Sequence, residues 1–304
     1  MLAKWLIERF APGWHDEAIE TLNRRRHAYR VENGRHIPKL QLLEIWPLSA
    51  FIGSKDNLTV FDIGANRGLW CAAWMRTFSD LTTAYHAFEP LDGNRANFEM
   101  RLREGQVPGR EKVRLHDACV GDGPGVVAIK YHAEVSPLAS VVLDRVRQGN
   151  RVIDNAMSKN CVQYSLDQFC ADRGIDTVHV AKVDVEGYEW QVLQGASGLL
   201  GSGRVRSVLF EFGEHQGILG QTFRSFWDLL TGHGYRIYRQ RVGRNFFGLE
   251  RIGVYDASLE RFDSVWMILA TLESEREFGP RVLIDYEPSV MPASSQALPP
   301  EIPG

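Results

Sequence analysis

The sequence has little cysteine: four residues in 304, none in a Cys-x-x-Cys pair. This scarcity excludes a disulfide scaffold and favours reduced thiols in a cytoplasmic protein. A long hydrophobic run is also missing, because the longest stretch without a charged residue, 190–203, contains four glycines. It is shorter than the roughly 18 apolar residues that indicate a spanning helix, so no transmembrane segment is predicted. Lys4, Glu8 and Arg9 interrupt the apolar residues at the start, so no signal peptide is predicted either.

The chain lacks an excess of charge of either sign. It has 35 lysines and arginines against 38 aspartates and glutamates, a net charge of −3. Nucleic-acid-binding proteins are usually more basic, and neither an Asn-Pro-Pro-aromatic loop nor a Pro-Cys nucleophile occurs, so no nucleic-acid partner is expected. With 44% hydrophobic residues, the composition is that of an ordinary globular protein that can bury a sizeable core.

Three segments differ in pattern. In residues 1–54, apolar residues recur at helical spacing and predict a helical N-terminal extension. Residues 55–287 contain short β-rich runs alternating with helical patterns and predict one α/β domain. Residues 288–304 hold five of the thirteen prolines and predict a disordered tail.

Five runs in the central segment have the composition of strands: LTVFDIG, TTAYHAFEP, KVRLHDACV, TVHVAKVDVEG and RVRSVLFEFG. Their alternation with helical segments predicts a mostly parallel sheet. Two later runs, GYRIYRQRVG and ERIGVYDA, predict an antiparallel pair at the sheet edge, and residues 121–169 predict a hairpin with an inserted loop. Ligands of such sheets bind outside the carboxyl ends of the strands, where we therefore sought polar residues.

The first two strands end in residues that suit a nucleoside. Asp62, Gly64 and Gly68 surround a tight turn after the first strand, and small residues there let the backbone approach a ligand. Glu89 ends the second strand at the distance along the chain where nucleoside-binding sheets place a carboxylate for the ribose hydroxyls. The turn is not the dinucleotide motif GxGxxG, because Asn66 replaces its second glycine. The alternative is an ordinary strand-to-helix turn with a solvated Glu89.

The third strand ends at Asp117 and Ala118. The carboxylate of Asp117 can accept a hydrogen bond from an adenine amino group, and Ala118 leaves room for the ring. The alternative is that Asp117 only begins a turn.

The fourth strand contains alternating charged residues. Lys182, Asp184 and Glu186 share one face if the strand continues through them, and Asp184 is the nearest charge partner for the lysine. We expect Asp184 to act in the chemical step with Lys182 beside it, and Glu186 to complement the dipole of the following helix. Glu211 and His215, after the fifth strand, are rival candidates for the base. These carboxylates suit Mg²⁺, but zinc- or calcium-type ligand spacing is missing, so no metal site is predicted.

The segments FDIGANRG, AFEP followed by Asn94 and Asn97, and KVDVEGYEWQVLQGA with a later FEF resemble the FkbM family of S-adenosylmethionine-dependent O-methyltransferases. The resemblance covers about residues 60–212. It implies a Rossmann-like class I methyltransferase fold for residues 55–287 and S-adenosylmethionine as cofactor. It also implies that residues 62–68, with Ala65 and Asn66 among them, lie near the methionine end and that Glu89 binds the ribose. The acceptor would be a hydroxyl of a sugar, glycan or secondary metabolite.

Two other functions are compatible with these residues. An NAD(P)-dependent reductase also uses a glycine turn and a ribose carboxylate, but the remaining glycines and a Tyr-x-x-x-Lys pattern are missing. A cofactor-binding scaffold without catalysis is the other alternative. The basic run 24–26 forms a solvated helix face or contacts an anionic acceptor such as a phosphorylated glycan. The sequence does not predict the oligomeric state.

Overall fold

The computed structural model describes residues 45, 48, 51–52, 57–148, 151–242, 247–260, 262, 265–273 and 283–285. The predicted helical extension lies almost wholly outside the described residues, and the predicted tail lies entirely outside them. No helix within the described residues is both long enough and apolar enough to cross a membrane.

Strands and helices alternate over residues 58–116 and 166–242, and five strands without an intervening α-helix lie between these ranges. The strands are β1 (Leu58–Ile63), β2 (Thr82–Phe88), β3 (Val113–His116), β4 (Cys119–Val120), β5 (Gly125–Tyr131), β6 (Arg145–Gln148), β7 (Arg151–Asp154), β8 (Met157–Tyr164), β9 (Val178–Val183), β10 (Val205–Phe212), β11 (Arg236–Val242), β12 (Phe247–Ile252), β13 (Trp266–Thr271) and β14 (Leu283–Asp285). The α-helices are α1 (Leu69–Phe78), α2 (Asp92–Arg103), α3 (Leu166–Arg173), α4 (Glu189–Gln194), α5 (Ser197–Gly201), α6 (Glu214–Ile218) and α7 (Phe223–Gly232).

The main sheet has nine strands among the described residues, in the order β14-β12-β11-β13-β10-β9-β1-β2-β3. The five strands predicted to be parallel are β1, β2, β3, β9 and β10, and all the pairings among them are parallel. The predicted antiparallel pair is β11 and β12. Both pairings are confirmed, but the antiparallel pair does not end the sheet, because β14 pairs in parallel with β12.

The sequence reading missed β13, which separates that pair from the parallel strands. It pairs antiparallel with β10 on one side and with β11 on the other. Four of its six residues are buried, so it is an interior strand of the sheet although it comes late in the chain. The antiparallel pair β11–β12 is therefore not adjacent to β10, because β13 lies between β10 and β11.

The predicted insertion forms a small separate sheet of β4, β8 and β5, with a hairpin of β6 and β7 beside it. The antiparallel pairing of β5 with β8 confirms the predicted hairpin. Between β5 and β6, residues 132–144 contain no helix or named strand, and we call them the strap.

The two faces of the main sheet pack against different groups of helices. Along β1, Phe61 and Ile63 join the core on the side of α3 and α7, whereas Leu58 and Val60 join the core on the side of α1. Because side chains alternate across a strand, Asp62 points to the same side as Val60. This alternation decides which residues of the first motif can reach a ligand.

Candidate functional site

A cavity of about 530 Å³, its mouth included, lies at the carboxyl ends of β1, β2 and β9, with part of the strap forming one wall. Its lining includes five of the residues predicted from the sequence: Gly64, Asn66, Glu89, Ala118 and Asp184. The cavity therefore lies at the sheet edge where site residues were predicted.

The turn after β1 is held by contacts within the chain. Gly64 has φ +81°, and a Cβ there would lie 1.8 Å from the carbonyl oxygen of Asp184. At Gly68, φ is +74° and a Cβ would lie 2.3 Å from the ring of Phe98. The sequence predicts that these small residues let a ligand approach the backbone. In the structure, the absence of a Cβ at both glycines instead allows other parts of the chain to pack closely against the turn.

Glu89 connects the two nucleoside motifs directly. Its side-chain Oε2 accepts a hydrogen bond of 2.8 Å from the backbone N–H of Asn66, which itself has φ +49°. Its Oε1 accepts from the N–H of Leu91 at 2.9 Å and from Nδ2 of Asn94 at 3.3 Å. Only 5% of Glu89 is exposed, which excludes the alternative of a solvated strand end.

Burial raises the pKa of Glu89 to about 7, although its hydrogen bonds and the nearby charge of Arg95 lower it. Removal of a carboxylate from water penalises its charged form, and that effect is the larger one here. The carboxyl group therefore changes its charge near neutral pH.

Three residues predicted to bind the cofactor lie behind the cavity wall. Asp62 is fully buried, where Oδ2 accepts a 2.8 Å hydrogen bond from the hydroxyl of Tyr85. Ala65 packs in the core on the α1 side, and Gly68 packs against Phe98. The alternation of side chains along β1 explains the position of Asp62.

The residues after β3 separate into one that lines the cavity and one that does not. Ala118 is part of the lining. The carboxylate of Asp117 is half exposed and forms ion pairs with Arg95 and, at 3.5 Å, with Lys159. Both pairs use Oδ1 of Asp117, and the contact with adenine stays a prediction.

Lys182 is buried between two carboxylates. Its Nζ lies 2.9 Å from Oδ2 of Asp184, which confirms the predicted pair, and 3.5 Å from Oδ1 of Asp62. The second contact follows from the parallel register, in which Asp62 of β1 lies opposite Lys182 of β9. Burial raises the pKa of Asp62 above its usual range, while Lys182 and Tyr85 oppose that change.

The prediction for Glu186 is wrong in both parts. Strand β9 ends at Val183, and Glu186 has φ +54°, so it does not continue the face of Lys182 and Asp184. Helix α4 begins only at Glu189, so Glu186 lies outside its first turn. The carboxylate of Glu189 instead accepts hydrogen bonds from the N–H groups of Val185 and Gly187, both at 3.0 Å. These bonds fix the loop that carries Asp184.

Glu211 and His215 lie close to this loop but do not line the cavity. Nδ1 of His215 is 3.2 Å from Oε2 of Glu186, and burial lowers the pKa of the imidazole. Burial raises the pKa of Glu211 well above its usual range, and the charges of Asp184, Glu186 and Glu189 raise it further. Among the described residues, no group of three or more histidine, cysteine, aspartate or glutamate side chains is arranged to hold a metal ion.

Sequence reasoning missed three features of the site. Asn94 and Tyr188 line the cavity, and so do Ser136, Pro137, Ala139 and Val141 of the strap. Asn94 had a signal, because it belongs to the motif that follows AFEP. The strap had none, since its position depends on contacts with distant residues such as the 2.7 Å hydrogen bond from Ser140 Oγ to the carbonyl oxygen of Glu186.

Comparison with known proteins gives a family and several distant structures. The model of the Methyltransferase FkbM domain matches residues 62–237. Similar structures include a methyltransferase FkbM from Methylobacillus flagellatus KT, with 14% identity, a TM-score of 0.44, and coverage of 75% of this chain and 47% of that one. Another is a SAM-dependent O-methyltransferase from Thermotoga maritima, with 13% identity, a TM-score of 0.41, and coverage of 83% and 70%. No curated protein matches the chain.

The chain thus spans about half the length of the Methylobacillus protein. The matched range covers more than half of the present sequence and includes every predicted site residue from Asp62 to His215. Together with the five parallel strands and the antiparallel strand beside them, the match confirms the Rossmann-like class I methyltransferase fold. The chain belongs to the FkbM methyltransferase family.

Proposed function

We propose that the protein transfers a methyl group from S-adenosylmethionine to a hydroxyl oxygen of an acceptor. The observation that carries this proposal is that Glu89 and Asp184 line one cavity. The first suits a ribose, and the second suits the proton of an attacking hydroxyl. Within the same lining, Phe88, Val120 and Ile129 are apolar and suit the flat face of a purine.

Several residues would hold the cofactor. Glu89 would accept a ribose hydroxyl, the backbone at Gly64 and Asn66 would border the amino-acid end, and Ala118 would leave space for the base. When bound, S-adenosylmethionine supplies a methyl group on a positively charged sulfur, which makes the methyl carbon electrophilic.

Asp184 is our candidate for the group that accepts the proton of the acceptor hydroxyl. Its side chain is 30% exposed and lines the cavity, and Lys182 fixes one of its two oxygens. The other oxygen is left to orient the hydroxyl and receive its proton as the oxygen–carbon bond forms. Glu211 and His215 lie behind this wall and are the alternatives.

The remaining parts of the proposal are the acceptor, the domain bounds and the cellular setting. A sugar, glycan or secondary-metabolite hydroxyl rests on the family resemblance. Residues 55–287 would form the methyltransferase domain. A cytoplasmic setting rests on the four cysteines, all of them free in the described structure.

Calorimetry tests the cofactor assignment. We expect heat of binding with S-adenosylmethionine and S-adenosylhomocysteine and none with NAD⁺ or NADP⁺. A nicotinamide dinucleotide that binds where the sulfonium cofactor does not would replace this proposal with the reductase. Binding of S-adenosylmethionine without turnover on any hydroxyl acceptor in a broad screen would instead support the scaffold.

A further inference from the structure

Asn94, in the first turn of α2, lines the cavity and has a buried acceptor without a partner among the described residues. The residue is 1% exposed and lines the cavity. Its Nδ2 donates to the carbonyl oxygen of Ser136 at 2.8 Å and to Oε1 of Glu89 at 3.3 Å. No donor reaches its buried Oδ1 within the described structure. The amide cannot be reversed, because reversal would place Oδ1 against two acceptors.

Glu89 also has one acceptor position without a hydrogen-bond donor. A carboxylate offers about four lone pairs, two on each oxygen. Oε1 already accepts from Leu91 and Asn94, whereas Oε2 accepts only from Asn66. One lone pair of Oε2 is therefore left for a ligand. This count argues against a contact in which Glu89 alone binds two hydroxyls, one on each oxygen.

We propose that Glu89 and Asn94 divide the recognition of the ribose, with one hydroxyl donating to Oε2 of Glu89 and its neighbour donating to Oδ1 of Asn94. This inference rests on the proposed function. Acceptors on two side chains that are hydrogen-bonded to each other suit a ligand with two neighbouring donors, which a vicinal diol provides. A phosphate or carboxylate would bring further acceptors and a negative charge, so a ribose with a 2′-phosphate is excluded by the same contacts.

Asn94 also connects the ribose site with the strap. Its donor hydrogens hold the strap at Ser136, and a Cβ on the preceding Gly93 would lie 2.0 Å from the carbonyl oxygen of Glu134. Removal of the Asn94 side chain therefore has two effects: it deletes the acceptor Oδ1 and it loosens the strap. The test must distinguish the loss of the acceptor from the loosening of the strap. Ligand analogues that lack one ribose hydroxyl make this distinction.

The experiment measures by calorimetry the binding of S-adenosylhomocysteine and its 2′-deoxy and 3′-deoxy analogues to the wild type and to Asn94→Ala. The hydroxyl that donates to the neutral amide of Asn94 should contribute a factor of about 3 to 10 in affinity, and the one that donates to the carboxylate of Glu89 a factor of about 10 to 100. Each deoxy analogue should bind the wild type more weakly by the factor of the hydroxyl that it lacks. In Asn94→Ala, one of the two penalties should disappear and the other should persist. Asn97→Ala is the matched control, since Asn97 lies on the same helix outside the cavity and donates to Gly93.

A role only in holding the strap would weaken all three ligands by the same factor in Asn94→Ala and leave both deoxy penalties intact. That result, in a variant that melts cooperatively, would overturn the division between Glu89 and Asn94. Asn94→Ser provides the same readout should the alanine variant fail to fold. The absence of S-adenosylhomocysteine binding to the wild type would overturn the proposed function together with this inference, so the two failures are distinguishable.

Discussion

The affinity for the cofactor should depend on pH through Glu89. Its pKa of about 7 belongs to the ligand-free protein, in which burial disfavours the charged form. A ribose hydroxyl donates more strongly to a carboxylate than to a carboxylic acid, so binding favours the charged form and lowers this pKa. The ligand should therefore displace a proton from Glu89, and affinity should fall as the pH falls below 7.

The magnitude follows from linkage. If only the ionised form binds well, the dissociation constant rises about 10-fold for each pH unit below the pKa of 7, and roughly 10-fold in all between pH 8 and pH 6. At pH 7, about half a proton per site should be released on binding. Because hydrogen bonds to charged and neutral groups differ by only about 1–2 kcal/mol, the effect should level off after one or two decades.

Calorimetry in buffers of different ionisation enthalpy measures both quantities. A suitable ligand is 5′-methylthioadenosine, which has the ribose but no amino-acid group that titrates. Glu89→Gln keeps the shape of the side chain and cannot ionise, so its affinity should be weaker and independent of pH. A wild-type dissociation constant that stays flat from pH 5.5 to 8.5, with no proton release, would refute both the raised pKa and the contact.

Three further results are expected. Asp184→Asn should lower turnover in a steady-state assay by about 10²- to 10⁴-fold, with little change in the S-adenosylhomocysteine affinity measured by calorimetry. Loss of that affinity would assign Asp184 a structural role. Gly64→Ala should lower the free energy of unfolding in urea by about 2 kcal/mol or more, because a Cβ would overlap the carbonyl oxygen of Asp184, whereas Gly123→Ala, which has open space, should not. Truncation before Pro288 should leave the melting temperature and cofactor affinity unchanged, and a large fall in either would show that the tail packs on the domain.

Local sequence patterns were sufficient where the responsible interaction is local. The pairing of Lys182 with Asp184 was predictable because residues two apart on a strand share a face. The parallel strands followed from the alternation of β-rich and helical runs. Asn66 and Glu89 belong to motifs at the ends of two neighbouring strands, so their proximity could be predicted. The hydrogen bond between them could not.

Other features of the site depend on residues far apart in the sequence. Asp62 lies opposite Lys182 only through the register of β1 with β9, and β13 takes its place between β10 and β11 only through pairing across the sheet. Strand β9 ends at Val183, and the left-handed backbone at Glu186 takes this residue off the face on which the pattern placed it. Each of these arrangements is stabilised by contacts between segments that are far apart in the sequence. A local sequence pattern therefore does not predict it.

The sequence by itself determined the fold class, the edge of the sheet that carries the cavity, and two of the three acidic residues that line it, Glu89 and Asp184 but not Glu186. It did so because strand periodicity and the ends of parallel strands are properties of short segments. The tertiary structure decided which polar atoms remain open to a ligand. Asp62 lies in the core, where it binds the hydroxyl of Tyr85, and so does not line the cavity. Asn94 does line the cavity, and its Oδ1 has no partner among the described residues. Hydrogen bonds saturate, so an atom becomes available to a ligand only after every neighbour that the fold supplies has been counted.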